Sequence, residues 1–200
     1  MMTKPIAFAI LLAGCTPAAS APAPAPSASA APAVSASSSA AAAPALTATA
    51  PTDADALVGT AAPDFTTAAQ NGTTVHLAAL KGKPVVLYFY PKDETAGCTK
   101  EACSFRDAWQ PLAKTGAVLV GVSADTLDSH RGFADHWKLP FLLVSDPDGA
   151  IAHLYGVPFH GVHKRQTIVI GPDGIVRDVH RSVDVTVHAQ EILADLGHLP

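Results

Sequence analysis

The sequence predicts an α/β domain with a mixed central sheet flanked by helices, and three features predict it. The runs "PVVLYFY" (84–90), "GAVLVGV" (116–122) and "PFLLV" (140–144) are short, β-branched or aromatic, and without polar alternation, as expected of strands buried on both faces. Stretches with helical spacing of apolar residues alternate with these runs. A hairpin and one more helix then close the chain, adding antiparallel pairing to a sheet begun by parallel crossovers.

The elements follow in order from about Leu57. "PDFTTAAQNGTTVHL" places Asn71-Gly72 between two short strand-like segments, a hairpin signal because this dipeptide tolerates positive φ. After strand 84–90, residues 95–113 read as one helix with Ala102, Phe105, Trp109 and Leu112 on its apolar stripe. Strand 116–122 leads to a helix at 125–138, then to strand 140–144. "QTIVIGPDGIVRDV" (166–179) is a hairpin turning on Gly171-Pro172-Asp173-Gly174, and 184–198 reads as the last helix. The order β-α-β-α-β-β-α is compatible with the thioredoxin fold.

Ahead of residue 57 the composition changes. Between Thr16 and Pro51 nearly every residue is Ala, Pro, Ser or Thr, with Val34 and Leu46 the only larger apolar side chains. Such a segment buries too little to offset the entropy of ordering it, and its prolines favour an extended spacer. The start, "MMTKPIAFAILLAGC", combines Lys4, a short apolar stretch and the tetrad Leu12-Ala13-Gly14-Cys15. The apolar stretch is below the roughly 20 residues needed to span a bilayer and has the size of a signal-peptide core. The tetrad resembles the lipobox of bacterial lipoproteins. That resemblance implies cleavage before Cys15, lipid attachment to it, and, with Thr16 in place of aspartate, sorting to the outer membrane facing the periplasm. The expected organisation is a signal peptide at 1–14, a lipidated linker at 15–56 and a folded domain at 57–200. A net charge of −4 offers no electrostatic footprint for nucleic acid.

The chemistry-bearing stretch is "YFYPKDETAGCTKEACSFRD" (88–107). With Thr95 as N-cap, Cys98 falls in the first helical turn at the centre of the apolar stripe, and Cys103 lies about 140° round the helix on the side of Asp107 and Gln110. Cys98 is therefore expected to point inward and Cys103 toward solvent. Free N–H groups and the macrodipole at a helix start favour a thiolate, the nucleophilic form of cysteine. Position alone leaves open that Cys98 is a buried, inert small hydrophobe. The i, i+5 spacing puts the two Cα atoms about 8–9 Å apart in an intact helix, beyond the roughly 4.4–6.8 Å that a disulfide requires. A bond between them needs the first turn to unwind, which suits a bond that forms and breaks.

The segment "PKDETAGCTKEACSFRD" resembles the active site of the peroxiredoxins, in particular their bacterioferritin-comigratory or PrxQ branch. The family's Pro-x-x-x-Thr-x-x-Cys signature falls on Pro91, Thr95 and Cys98, and the branch's resolving cysteine on Cys103. Residues 121–146 resemble the family's second block and "KRQTIVIGPDG" (164–174) its third, where Arg165 falls on the active-site arginine. Ala96 stands where the branch commonly has proline. The resemblance implies a thioredoxin-fold peroxidase without cofactor or metal. Cys98 attacks a peroxide oxygen, Thr95 and Arg165 assist, and backbone N–H groups of Gly97 and Cys98 donate to the developing anion. Pro91 shields the pocket, and Cys103 resolves the sulfenic acid into an intramolecular disulfide that a thioredoxin-like donor reduces. The expected assembly is a monomer.

Two rivals share the fold. A thiol–disulfide oxidoreductase would carry Cys-x-x-Cys, and a copper-binding assembly protein Cys-x-x-x-Cys with a distal histidine; neither spacing is present. His153, His160 and His163 lie in a loop-like stretch with no cysteine or carboxylate at ligand spacing, and are read as loop residues. His130 is read as capping or packing its helix and not as a base, since a thiolate mechanism needs none.

Overall fold

The computed structural model describes residues 54–200. Cys15, the signal peptide and all but the end of the linker lie outside the described residues. Seven strands and five helices follow one another: β1 (Thr66–Ala68), β2 (Thr74–His76), β3 (Val85–Phe89), α1 (Ala96–Asp107), α2 (Trp109–Lys114), β4 (Val118–Ser123), α3 (Leu127–Trp137), β5 (Leu142–Ser145), α4 (Ala150–Leu154), β6 (Gln166–Ile170), β7 (Val176–His180) and α5 (His188–Gly197). Among these helices none is long and apolar enough to cross a membrane.

β1 and β2 form the expected hairpin, with Gly72 at φ 82° in its turn. The main sheet runs β5-β4-β3-β6-β7. β3, β4 and β5 pair in parallel through the α1–α2 and α3 crossovers, while β6 and β7 add antiparallel pairs. The mixed sheet is thus as the sequence predicts. Every residue of β3 and β6 is buried; this explains the unbroken apolar run of β3, while β6 also buries the polar Gln166 and Thr167 at its start. Val85, Leu87 and Phe89 face a core layer completed by Phe65, Leu154 and Tyr155; Val86 and Tyr88 face the layer holding Cys98, Phe105, Phe133 and Ile192. Tyr88 pairs with Gly121, where a Cβ would stand 2.7 Å from the tyrosine ring, so glycine is needed there for close approach.

Four boundaries differ from expectation. The 95–113 helix is two helices, because Pro111 cannot donate to the carbonyl of residue 107 and its ring clashes there. The chain pauses at Ala108 (φ −88°, ψ 8°) and restarts at Trp109, placing Pro111 in a first turn, where it is tolerated. α5 begins at His188 instead of 184, since Asp184 captures the Thr186 N–H (2.9 Å) and Val185-Thr186-Val187 is a β-branched run. α4 was not expected: five residues are too few to show a period, and Asp146 caps it through the N–H groups of Ile151 (2.9 Å) and Ala152 (3.0 Å). Finally, a 3-10 turn at Ala54–Leu57 buries Ala54, so packing begins before residue 57.

Candidate active site

Where β3 ends, the chain passes through Pro91 into the turn that starts α1. Asp93 anchors this turn: Tyr90 Oη donates to its Oδ1 (2.8 Å), while Ser129 Oγ (2.7 Å) and His130 Nδ1 (2.9 Å) reach its Oδ2. Burial works against the charge on Asp93, but the His130 contact and the two hydroxyls outweigh it and hold the carboxyl below its ordinary range. His130 is fully buried and its Nε2 lies 3.2 Å from the Val144 carbonyl, so it packs α3 against the turn as expected. Glu94 adopts φ 58°, the left-handed region, and ties the turn to the end of α3 through Trp137 Nε1 (2.9 Å) and His136 Nδ1 (3.1 Å).

Thr95 holds the N-cap position, but its side chain does not cap the helix. Its hydroxyl donates instead to the Lys92 carbonyl (3.0 Å), which leaves the oxygen's lone pairs for an incoming donor. The first helical bond runs from Thr99 N–H to the Thr95 carbonyl (2.8 Å). The N–H groups ahead of it, Gly97 and Cys98 included, therefore have no partner within the helix. Cys98 is a free cysteine, 2% exposed, and points inward as predicted.

Arg165 immediately precedes β6, and the antiparallel register pairing Phe89 with Gln166 brings it to the end of β3 from which α1 departs. Its Nη2 donates to Cys98 Sγ at 3.1 Å and its Nη1 to Glu101 Oε2. Gly97 lies alongside, with room for a Cβ 3.6 Å from Nη2. Thr95 is exposed, and Pro91, Gly97 and Arg165 are half-buried around the sunken thiol. A separate cavity of about 250 Å³ lies at the opposite end of β3, lined by Val85 and Ile170, and has no part in this site.

One predicted site residue lies elsewhere than expected, and one site residue was not predicted. Cys103 is not solvent-facing: it is 2% exposed. The buried arc of α1 includes Thr99, Glu101 and Cys103 as well as the apolar stripe, and the polar Thr99 and Glu101 beside Cys103 give a helical wheel no hydrophobic signal to extend the stripe to it. Glu101 was missed altogether. It sits one turn after Cys98, and a carboxylate beside Phe105 on the buried face was the available clue. Burial pushes Glu101 up to about 7 against the pull of Arg165, and its Oε1 makes no hydrogen bond. For Arg165, burial opposes the charge, but Glu101 first and then the Cys98 sulfur hold the guanidinium above its ordinary range.

Behind Glu101 stands His188, also unforeseen, with Nε2 3.9 Å from Glu101 Oε1 and 2.8 Å from Thr167 Oγ1. Burial first, then His180 and Arg165, push it down to about 4. Of the three histidines read as loop residues, His153 instead lies in the last turn of α4, exposed; His160 is in a loop and exposed, whereas His163 is buried with Nε2 2.8 Å from Asp146 Oδ2, pinning the loop to the α4 cap.

Comparison with known proteins agrees with this geometry. Residues 58–179 match the AhpC/TSA family. The chain is 42% identical over 148 residues to a Coxiella burnetii protein carrying the name peroxiredoxin bcp, covering 70% of this chain and 97% of that one. It is 46% identical over 127 residues to a chloroplastic peroxiredoxin Q of Triticum aestivum, covering 62% of this chain and 58% of that longer protein. Among solved structures, peroxidoxin BcpB of Mycobacterium tuberculosis superposes with a TM-score of 0.66 at 37% identity, covering 72% of this chain and 97% of the other. The bacterioferritin comigratory protein of Xanthomonas campestris gives 0.63 at 35%, covering 66% and 90%. Matched by a family over more than half its length, and by relatives that it spans almost end to end, the chain belongs to the AhpC/TSA family, among its peroxiredoxin bcp and peroxiredoxin Q members.

Proposed function

We infer that this protein is a thiol-dependent peroxidase acting on hydrogen peroxide and organic hydroperoxides. The observation that carries the reading is the guanidinium of Arg165 held 3.1 Å from the free thiol of Cys98 at the open start of α1. The Cys98 thiolate attacks one peroxide oxygen; the O–O bond breaks, the other oxygen leaves as water or an alcohol after taking up a proton, and sulfur becomes a sulfenic acid. Arg165 and the N–H groups of Gly97 and Cys98 stabilise charge developing on the oxygens, and Thr95 Oγ1 accepts a hydrogen bond from the peroxide. Pro91 sets the turn and shields the pocket.

Cys103 then displaces water from the sulfenic acid, giving an intramolecular disulfide once the first turns of α1 unwind. Because both cysteines lie on one helix, a single chain completes the cycle and the protein works as a monomer. A thioredoxin-like dithiol returns both sulfurs to thiols, its own pair becoming a disulfide. No cofactor or metal enters these steps, since both electrons pass through sulfur. In Cys103→Ser, one equivalent of peroxide should leave a sulfenic acid that a 1,3-diketone traps, and turnover with a dithiol donor should stall. Wild type should instead lose two hydrogens in mass and release a cross-linked 98–103 peptide. Unchanged turnover in Cys103→Ser would remove Cys103 from the mechanism.

The tetrad ending in Cys15 supports a lipid-anchored protein, held at the outer membrane by the 15–56 linker and facing the periplasm. Metabolic labelling with a palmitate analogue should tag the full chain, and Cys15→Ser should abolish the tag; labelling that survives the substitution contradicts the anchor.

A further inference from the structure

A second cluster of histidine and carboxylate side chains lies behind the thiol site, where β7 meets α5. His180 ends β7, His188 opens α5, and Glu191 follows His188 by one turn on the same helix face. One ligand atom from each of the three lies within 4.8 Å of the other two. Both imidazoles have Nε2 engaged elsewhere: His180 with Asp195 Oδ2 at 2.6 Å, and His188 with Thr167 Oγ1 at 2.8 Å. Such outer partners orient histidines that ligate metals.

The decisive atom is His188 Nδ1. It is buried and makes no hydrogen bond, although Glu191 Oε2 lies 3.5 Å away. That gap is too long for an N–H···O bond, which spans about 2.7–3.2 Å. It matches two neighbouring ligands of one tetrahedral zinc ion, which at about 2.0–2.2 Å from the metal stand roughly 3.3–3.6 Å apart. The overlapping group Asp178, His180 and Asp195 is more exposed, and its histidine already pairs with a carboxylate, so it supplies an outer shell and not a site of its own.

We propose that His180, His188 Nδ1 and Glu191 bind one divalent transition-metal ion of the zinc class, tying β7 to α5. Two imidazoles and a carboxylate form the nitrogen–oxygen donor set such borderline ions take, with water completing the tetrahedron. The site is separate from the peroxidase reading, and its test dispenses with sulfur.

Full-length protein with Cys15, Cys98 and Cys103 all replaced by serine, stripped of metal, is titrated with Zn²⁺ against a chromophoric chelator at neutral pH. One equivalent should bind. Thr167→Val and Asp195→Asn should each weaken binding about 10- to 100-fold by releasing an oriented imidazole. Glu191→Gln and His188→Ala should weaken it more. Glu191 is 45% exposed, so its substitution tests the site without threatening the fold. Co²⁺ in place of Zn²⁺ should give the visible absorption of a tetrahedral site, absent in Glu191→Gln. No saturable uptake, or uptake unchanged in both Glu191→Gln and His188→Ala, overturns the proposal.

Discussion

Cys98→Ser abolishes peroxide turnover. Serine keeps nearly the same volume at a site 2% exposed, so Phe105, Ala102 and Tyr88 should pack as before and the protein should remain folded. What disappears is the nucleophile, because a hydroxyl beside Arg165 is not ionised near neutral pH and does not attack an O–O bond. Stopped-flow measurement of peroxide consumption by the reduced protein should show a loss to the uncatalysed background, not a partial decrease. Among the described residues the other cysteine, Cys103, is buried, and the Arg165 guanidinium donates to the Cys98 sulfur. Wild-type rates in Cys98→Ser would end the peroxidase reading.

Arg165→Met should retain the thiol yet lower the rate of sulfur oxidation by roughly 10²–10³-fold, the usual cost of one preorganised donor to a developing anion. The same change acts on stability. Glu101 is buried, with Oε1 already without a hydrogen bond, and Arg165 is the partner of Oε2. Removing one member of a buried ion pair costs about 3–5 kcal/mol, and the half-exposure of Arg165 favours the low end.

The pH dependence has a definite sign. Burial already raises Glu101 to about 7, and Arg165 is what restrains it, so the variant's carboxyl should titrate higher still. A carboxyl raised in the folded state favours folding at low pH, where folded and unfolded chains are both protonated. That contribution is lost as pH rises from the unfolded carboxylate range, near 4.3, through the higher folded value. Arg165→Met should therefore be more destabilised at pH 8 than at pH 5 in denaturant titrations. Equal loss at both values would mean that Glu101 does not rely on the guanidinium.

Local patterns made much of the architecture legible. β3 and β4 are continuous apolar runs, Asn71-Gly72 marks the first hairpin and Gly171-Pro172-Asp173-Gly174 the one joining β6 to β7, and apolar spacing finds α1, α3 and α5. Misplaced boundaries share a cause: a side chain competing for backbone groups, as Asp184 does before α5, or a proline that forces a restart, as Pro111 does in α2. α4 is set mainly by Asp146, a residue outside it. At the site, the inward thiol at a helix start was readable from the wheel. Arg165 entered only through the family resemblance, and Glu101 and His188 not at all.

From the chain alone come the sheet and the helices, the helix start beneath Cys98, and a spacing to Cys103 that an intact helix cannot bridge, because these depend on residues close in sequence. The meeting of Arg165 with Cys98 and Glu101, 67 and 64 positions away, depends on the pairing of β6 against β3. The placing of His188 behind them and the burial of Cys103 depend instead on how α5 and α1 pack against the sheet and each other. Strand register and helix packing set those distances, and no periodicity within a single segment encodes them.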